Sequence, residues 1–398
     1  MISSIELFCG AGGLALGLQQ AGFDHRALVE WDRDSCENIK SNIEEGYSPI
    51  RDWKVIQSDV RDIDFSGKYK GVAVVSGGPP CQPFSLGGKH QAYNDKRDMF
   101  PQAVRAVREL KPMAFIFENV KGLLRQSFSS YFNYILLQLQ HPSLEKPDGL
   151  RWEEHMGLLE KAHTSLGGES EYRVIFRLLN AADYGVPQQR HRVVIVGFRN
   201  DVDANWSFPE PTHSKEALLY SKWVTGDYWK RHGIAQPQMP DKTAKQVSKI
   251  SASAPALLPW RTVRDAICDL PDPRRREAAS IPNHEFRAGA KQYAGHSGSN
   301  LDEPSKTIKA GAHGVPGGEN MIILDDRTQR YYTVRESARI QTFPDEYRFH
   351  GSWTESMRQI GNAVPVALAR IIGESVYNHL EGADIENEKK WTADHRAV

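Results

Sequence analysis

The 398-residue chain is predicted to be α/β, with a doubly wound, mostly parallel sheet and a smaller irregular second domain. Three observations predict this. Short apolar runs alternate with segments of helical period through the first half. Acids or glycine turns follow the ends of successive runs, as they do at the ligand edge of an open sheet. Near residue 199 the composition shifts to Pro, Trp, His and Ser with little helical period.

The first strand, read over 5–9, enters "FCGAGGLALGLQQAGF". There Gly10, Gly12 and Gly13 let the backbone turn sharply, and a helix from Leu14 can offer its N-terminal amides to an anionic group. A second strand over 27–30 ends in "VEWD". Glu30 stands where strand-two acids of nucleotide folds hold ribose hydroxyls, and Trp31 offers a flat face for adenine. The third strand, 55–57, ends at "QSDV", where Asp59 can accept from an adenine amino group. The glycines depart from G-x-G-x-x-G, which disfavours a dinucleotide and leaves a smaller adenosine compound; S-adenosylmethionine fits.

The fourth strand, 72–75, delivers "GGPPCQPFS" to the same edge. Pro79 and Pro80 fix two φ angles and remove two amide donors, so Cys81 is displayed on a stiff segment. A thiol becomes a nucleophile as its thiolate, which a nearby charge favours. The fifth strand, 114–117, ends in Glu118 and Asn119, and a carboxyl at the end of a buried strand can serve as an acid. Strands over 173–178 and 192–197 flank "GVPQQRHRVVIVG", whose Arg190 and Arg192 share a face if extended. Between strands five and six, 126–171 reads as a helical insertion. A thiol nucleophile, an acid and a cation around an adenosine methyl donor suit methylation of a pyrimidine at C5. Thiolate addition at C6, protonation at N3 and a cation at O2 turn the ring into a carbon nucleophile.

Fifty basic residues balance fifty acidic ones, so net charge alone selects no partner. The second lobe, 199–330, holds 19 Lys and Arg against 16 Asp and Glu, a surplus of three. Its run Arg274-Arg275-Arg276 is either a DNA-backbone contact or a solvated charge run. The four cysteines are dispersed as in a reduced, cytoplasmic protein. No signal peptide, membrane span of about 18 apolar residues, or metal site is read.

In order, "ELFCGAGGLALGLQQAGF", "VEWD", "GGPPCQPFS", "ENVKGLL", "DYGVPQQRHRVVIVGF", "TVRESARIQTFPDEY" and "QIGNAVPVALARII" resemble the DNA (cytosine-5) methyltransferase family of bacterial restriction-modification type. The resemblance implies a Rossmann-like, S-adenosylmethionine-dependent fold. It makes Cys81 the C6 nucleophile, Glu118 the N3 proton donor and Arg192 the O2 partner, with Arg190 supporting the site. Cofactor contacts are carried to Phe8, Gly10, Gly13, Glu30, Trp31, Asp59, Val60, Gly78, Pro80 and Met99, and to Asn362, Ala363 and Val364 from the far end. Ser85 and Thr307 become DNA contacts. Glu6 departs from the family's usual Asp, and Ala363 from its common Ser.

The implied domains are a catalytic and cofactor-binding domain over 1–198, a target-recognition domain over 199–330, a return segment over 331–385 and a polar tail over 386–398. The expected partner is double-stranded DNA, bound by a monomer that flips the cytosine out of the duplex. A cognate restriction endonuclease is expected to act separately. Two alternatives stay open: an RNA (tRNA) cytosine-5 methyltransferase and a catalytically silent DNA-binding accessory protein.

Overall fold

A computed structural model describes residues 1–80, 98–165, 170–202, 205–250, 254–291, 297–311 and 320–394. The chain divides into two compact units, one formed by 1–179, 191–208 and 369–398, the other by 180–190 and 209–368.

The first unit is built on a seven-stranded sheet: β1 (Ser3–Leu7), β2 (Asp24–Glu30), β3 (Val55–Gln57), β4 (Val74–Gly77), β5 (Ala114–Val120), β6 (Tyr172–Asn180) and β7 (His191–Arg199). Their order is β3-β2-β1-β4-β5-β7-β6. From β3 to β5 all neighbours are parallel, whereas β7 runs antiparallel to β5. Parallel strands need crossovers, and helices α1 (Gly13–Gln20), α2 (Arg33–Glu44) and α3 (Phe100–Leu110) supply them. Six of the seven expected strands recur with longer or shifted ends, and 55–57 recurs unchanged.

Segment 126–171 is not an insertion beside the fold. Its helices α4 (Ser129–Gln140) and α5 (Trp152–Ser165) form the connection from β5 to β6. Tyr131, Tyr134, Ile135, Leu139 and Leu159 share one core with Phe115, Phe117, Val193 and Ile195 of the sheet. The spacing of those apolar residues gives the helix one face, and the sheet is what that face buries against.

The second unit contains more regular structure than its composition suggests. It holds α6 (Lys215–Trp223), α7 (Asp227–Arg231), α8 (Asp241–Val247) and α9 (Val263–Ile267). Small sheets join β8 (His213–Ser214) to β9 (Leu258–Pro259), and β10 (Ser299–Asn300) to β11 (Met321–Ile323) and β12 (Gln329–Tyr331). Helices this short show no clear period in sequence, and caps hold them instead: Ser214 caps α6, and Thr262 with Asp265 forms a capping box on α9.

Residues 331–368, expected in a segment returning to the catalytic domain, group with the second unit. Here α10 (Val334–Ile340) starts on a Thr333–Glu336 capping box, and fully buried Arg335 donates to the carbonyls of Pro282, Pro344 and Tyr347. After α11 (Trp353–Asn362), the chain rejoins the first unit only along α12 (Val366–Asp394), from Ala369. Among the described residues no helix is long and apolar enough to cross a membrane.

Gly197 of β7 faces Phe115 of β5 so closely that a Cβ would lie 2.1 Å from the Phe115 ring. Overpacking of this kind costs about 1–3 kcal/mol. Gly197→Ala is expected to lower unfolding free energy by that amount in urea titration; an unchanged midpoint would contradict the packing described.

Candidate active site

Backbone geometry shapes the turn after β1. Gly10 and Gly12 have φ of 52° and 79°, conformations that suit glycine, and Phe8 holds a φ of 57° that costs a residue with a side chain. A Cβ on Gly10 would meet nothing within 4 Å, so this turn faces open space. Glu30 ties the turn to β2: its Oε2 accepts from Gly10 N at 2.8 Å, and its Oε1 accepts from Trp31 N and Asp32 N at 2.9 Å. Burial pushes the Glu30 carboxyl up, while those amide bonds oppose the shift. Beside it the Trp31 side chain stands 73% exposed, a flat apolar surface without cover.

Asp59 lies two residues beyond β3 and caps the turn beginning at Val60, which is buried. Its carboxylate is forked onto Arg61, with Arg61 Nη2 at 2.5 Å and Nε at 2.9 Å, and this hydrogen-bonded pairing holds it below the usual carboxylate range. Asp59 is therefore an ionised acceptor. Glu6, buried beneath the glycine turn, accepts from Ser76 Oγ at 3.2 Å and from the Ala15 amide in the first turn of α1. It caps that helix in place of Gly12, which has no side chain to do so. Burial pushes the Glu6 carboxyl up to about 8 from an ordinary 4.5.

The chemistry-bearing residues of the first unit meet at the ends of β4, β5 and β7. In the antiparallel register Val120 opposes Arg192 and Glu118 opposes Val194, so Glu118 and Arg192 are diagonal neighbours on one face. Arg192 Nε lies 2.6 Å from Glu118 Oε1, and each side chain is only 11% exposed. The contact is a buried ion pair. Burial pulls the guanidinium below its ordinary value, and the Glu118 charge opposes that. Gly78 lies against this pair: a Cβ there would come within 3.4 Å of Glu118 Oε2.

Asn119, the other polar residue ending β5, holds the proline segment. Its Nδ2 donates to Pro79 O at 2.9 Å while Met99 N donates to Pro80 O at 3.3 Å. The segment is thus pinned at the two residues preceding Cys81. Cys81 and Ser85 themselves lie outside the described residues.

Arg190 and Arg192 do not share a face. Strand β7 begins only at His191, and Arg190 belongs to the second unit, where it is fully buried. It donates to Ile308 O at 3.0 Å, Gly361 O at 2.6 Å and Ala363 O at 2.9 Å, so its role there is to hold backbone. Thr307 Oγ1 donates to Gln189 O at 2.7 Å. Asn362 ends α11 exposed, and Ala363 and Val364 after it are buried. Arg274 is forked onto Asp272 at 2.6 Å, which offsets part of the charge of its run. Sequence reasoning missed the structural parts of Glu6, Asn119, Gln188 and Gln341; only Asn119, beside Glu118, carried a signal. Among the described residues no group of His, Cys, Asp and Glu could hold a metal ion.

The fold defines the class. A solved S. pombe Dnmt2 methyltransferase is similar to this chain with a TM-score of 0.56 at 14% identity, covering 96% of this chain and 99% of that one. The α/β fold of that protein is therefore shared by this chain. The family model described as C-5 cytosine-specific DNA methylase matches residues 2–142 and 144–378, and the chain belongs to that family. It is similar to the Type II methyltransferase M.PspPI of Psychrobacter sp., 32% identical over 386 residues, covering 96% of this chain and 80% of that protein. It is also similar to the Type II methyltransferase M.NgoMIV of Neisseria gonorrhoeae, 31% identical over 388 residues, covering 95% and 98%. Its activity is that of a DNA (cytosine-5) methyltransferase.

Glu6 yields a pH prediction. A carboxyl whose folded value is raised stabilises the fold fully below its unfolded value, and the contribution is lost as pH rises through the folded value. Wild-type protein is therefore expected to lose thermal stability relative to Glu6→Gln between about pH 4.5 and 8. Parallel melting profiles of the two proteins across that window would contradict the assignment.

Proposed function

We propose that the protein methylates C5 of a cytosine within a specific duplex DNA sequence, using S-adenosylmethionine and Cys81 as nucleophile. The observation that carries this reading is the buried Glu118–Arg192 pair against Gly78, beside a proline segment pinned at Pro79 and Pro80.

The residues of the first unit fit the cofactor. Gly10 leaves open space, Glu30 is a buried acid at the strand end, Trp31 is a bare aromatic face and Asp59 is an ionised acceptor. In this reading Glu30 holds the ribose, Trp31 covers the adenine and Asp59 takes its amino group, with Phe8, Gly10, Gly13, Val60, Gly78, Pro80 and Met99 lining the rest. The family resemblance also gives Asn362, Ala363 and Val364 as cofactor contacts. When bound, S-adenosylmethionine supplies an electrophilic methyl group.

The chain's own residues activate the ring. The Cys81 thiolate forms a bond to C6, Glu118 gives a proton to N3, and the Arg192 guanidinium takes O2, so electron density gathers at C5. After C5 is methylated, its proton passes to water, the C6–S bond breaks with Cys81 leaving as thiolate, and N3 returns its proton to Glu118, which restores the neutral aromatic ring. In a duplex these atoms are inaccessible, so the base is flipped out, at a cost of a few kcal/mol. Thr307 and Ser85 contact the DNA, and Arg190 supports the site by fixing its backbone. The similarity to Type II methyltransferases supports protection of host DNA in a restriction-modification system, with a separately acting endonuclease. A cytoplasmic monomer on duplex DNA completes the reading.

Cys81→Ala is expected to abolish methylation, read by strand-resolved bisulfite sequencing, while duplex binding survives; normal turnover by this variant would overturn the mechanism. Arg192→Ala removes one partner of a buried pair, a change that destabilises by about 3–5 kcal/mol. It is expected to lose both turnover and stability, whereas Glu118→Gln, which keeps the shape, should lose turnover with a smaller drop in melting temperature.

A further inference from the structure

Helix α4 lies in the 126–171 connection of the first unit, and one of its side chains reaches the start of α3. Each amide donor at that start has a partner. Met99 N donates to Pro80 O at 3.3 Å, Phe100 N donates to Asp98 Oδ1 at 3.2 Å, and Pro101 has no amide hydrogen to give. Met99, the N-cap residue, makes no side-chain cap, so Asp98 supplies one from a residue further out. The other Asp98 oxygen, Oδ2, accepts from Tyr131 Oη. Tyr131 is itself fixed, 7% exposed and with its ring edge-on to that of Trp152 at 5.3 Å between centroids. A second tie joins α3 to the same connection, where Arg108 Nε lies 3.0 Å from Glu145 Oε1.

We propose that Tyr131 is a positioning residue for methyl transfer: through Asp98 it sets the start of α3, and through Met99 N it sets the carbonyl of Pro80, the residue before Cys81. The proposal rests on the reading above, in which Cys81 attacks C6. Asn119 holds Pro79 O from β5, so loss of the Tyr131 tie loosens the proline segment at Pro80, its end nearest the nucleophile. The hydroxyl acts through bonds in series. Its removal therefore changes the rate of the bond-forming step rather than the affinity for the cofactor.

The test is a double-mutant cycle on the single-turnover rate constant for methylation at saturating S-adenosylmethionine and duplex, with the Kd for S-adenosylhomocysteine measured beside it. Tyr131→Phe keeps the ring and loses the hydroxyl. It is expected to slow methylation about 10- to 100-fold while that Kd changes by less than about twofold. Asp98→Ser keeps a cap oxygen for Phe100 N but is too short to reach Tyr131, so it should slow methylation to the same extent. The double variant should be no slower than either single one, because the two residues act in series. A wild-type rate in Tyr131→Phe, losses that multiply in the double variant, or a cofactor affinity that falls with the rate overturns the proposal. If only one of the single variants folds, its rate and its Kd decide alone. Failure of the functional reading is recognised separately, as wild-type protein that does not methylate DNA.

Discussion

The site depends first on one buried ion pair, Arg192 with Glu118 at 2.6 Å. Neither charge is tolerable alone at a strand end so poorly exposed to water; each offsets the desolvation of the other, and Arg192 Nη1 also donates to His191 O at 2.9 Å. Strand direction makes the pair. Because β7 runs antiparallel to β5, Arg192 arrives one diagonal step from Glu118 on the same face. The end of β5 then does two things: Glu118 carries charge toward Gly78, and Asn119 fixes the carbonyl of Pro79. The proline segment is held against the acid from the strand that supplies the acid. The backbone is therefore fixed at Pro79 and Pro80, the two residues that precede Cys81 in sequence.

The second unit reaches rigidity differently. One of its apolar clusters, around Leu218, Tyr228, Trp229 and Trp260, is small for a segment of this length, and buried cations brace the rest. Lys222 Nζ reaches Asp302 O and Glu303 Oε1, each at 2.8 Å, within 5.5–5.8 Å of the Trp223, Tyr228 and Trp229 rings. Arg264 bridges Asp302 and Asp325, and Arg330 forks onto Glu336. Such struts contribute less stability than apolar packing would, but their geometry admits few alternatives. Loop 301–308 is gripped at Asp302 and Glu303 from one side and at Ile308 from the other. The segment that ends at Thr307 and Ile308 is thus as well braced as an element of regular structure.

How much of this was legible follows from the physics of each element. Parallel strands buried on both faces read as apolar runs, so the order of elements through the first unit was visible. The runs stop short where chemistry begins: 114–117 ends one residue before Glu118 although β5 continues to Val120, and 72–75 misses Ser76 and Gly77 of β4. Polar residues at strand ends hide the strand and mark the site at once. Glu30, Glu118 and Arg192 were legible because each follows or begins an apolar run. Periodicity carries no strand direction, so the pairing of Glu118 with Arg192 was not legible. Arg190 was misplaced because alternation assumes a strand that begins only at His191. The Gln188–Gln341 bond spans 153 residues, and nothing local announces it.

The central claim is that Cys81 attacks C6 of a flipped cytosine beside the Glu118–Arg192 pair. The most direct measurement is mass spectrometry of the protein after incubation with S-adenosylmethionine and a duplex carrying 5-fluorocytosine at the methylated position. Fluorine cannot leave C5 as a proton does, so the account predicts a stable covalent complex whose DNA adduct maps to Cys81. Absence of an adduct on a duplex whose unfluorinated counterpart is methylated, or an adduct on another residue, would contradict it.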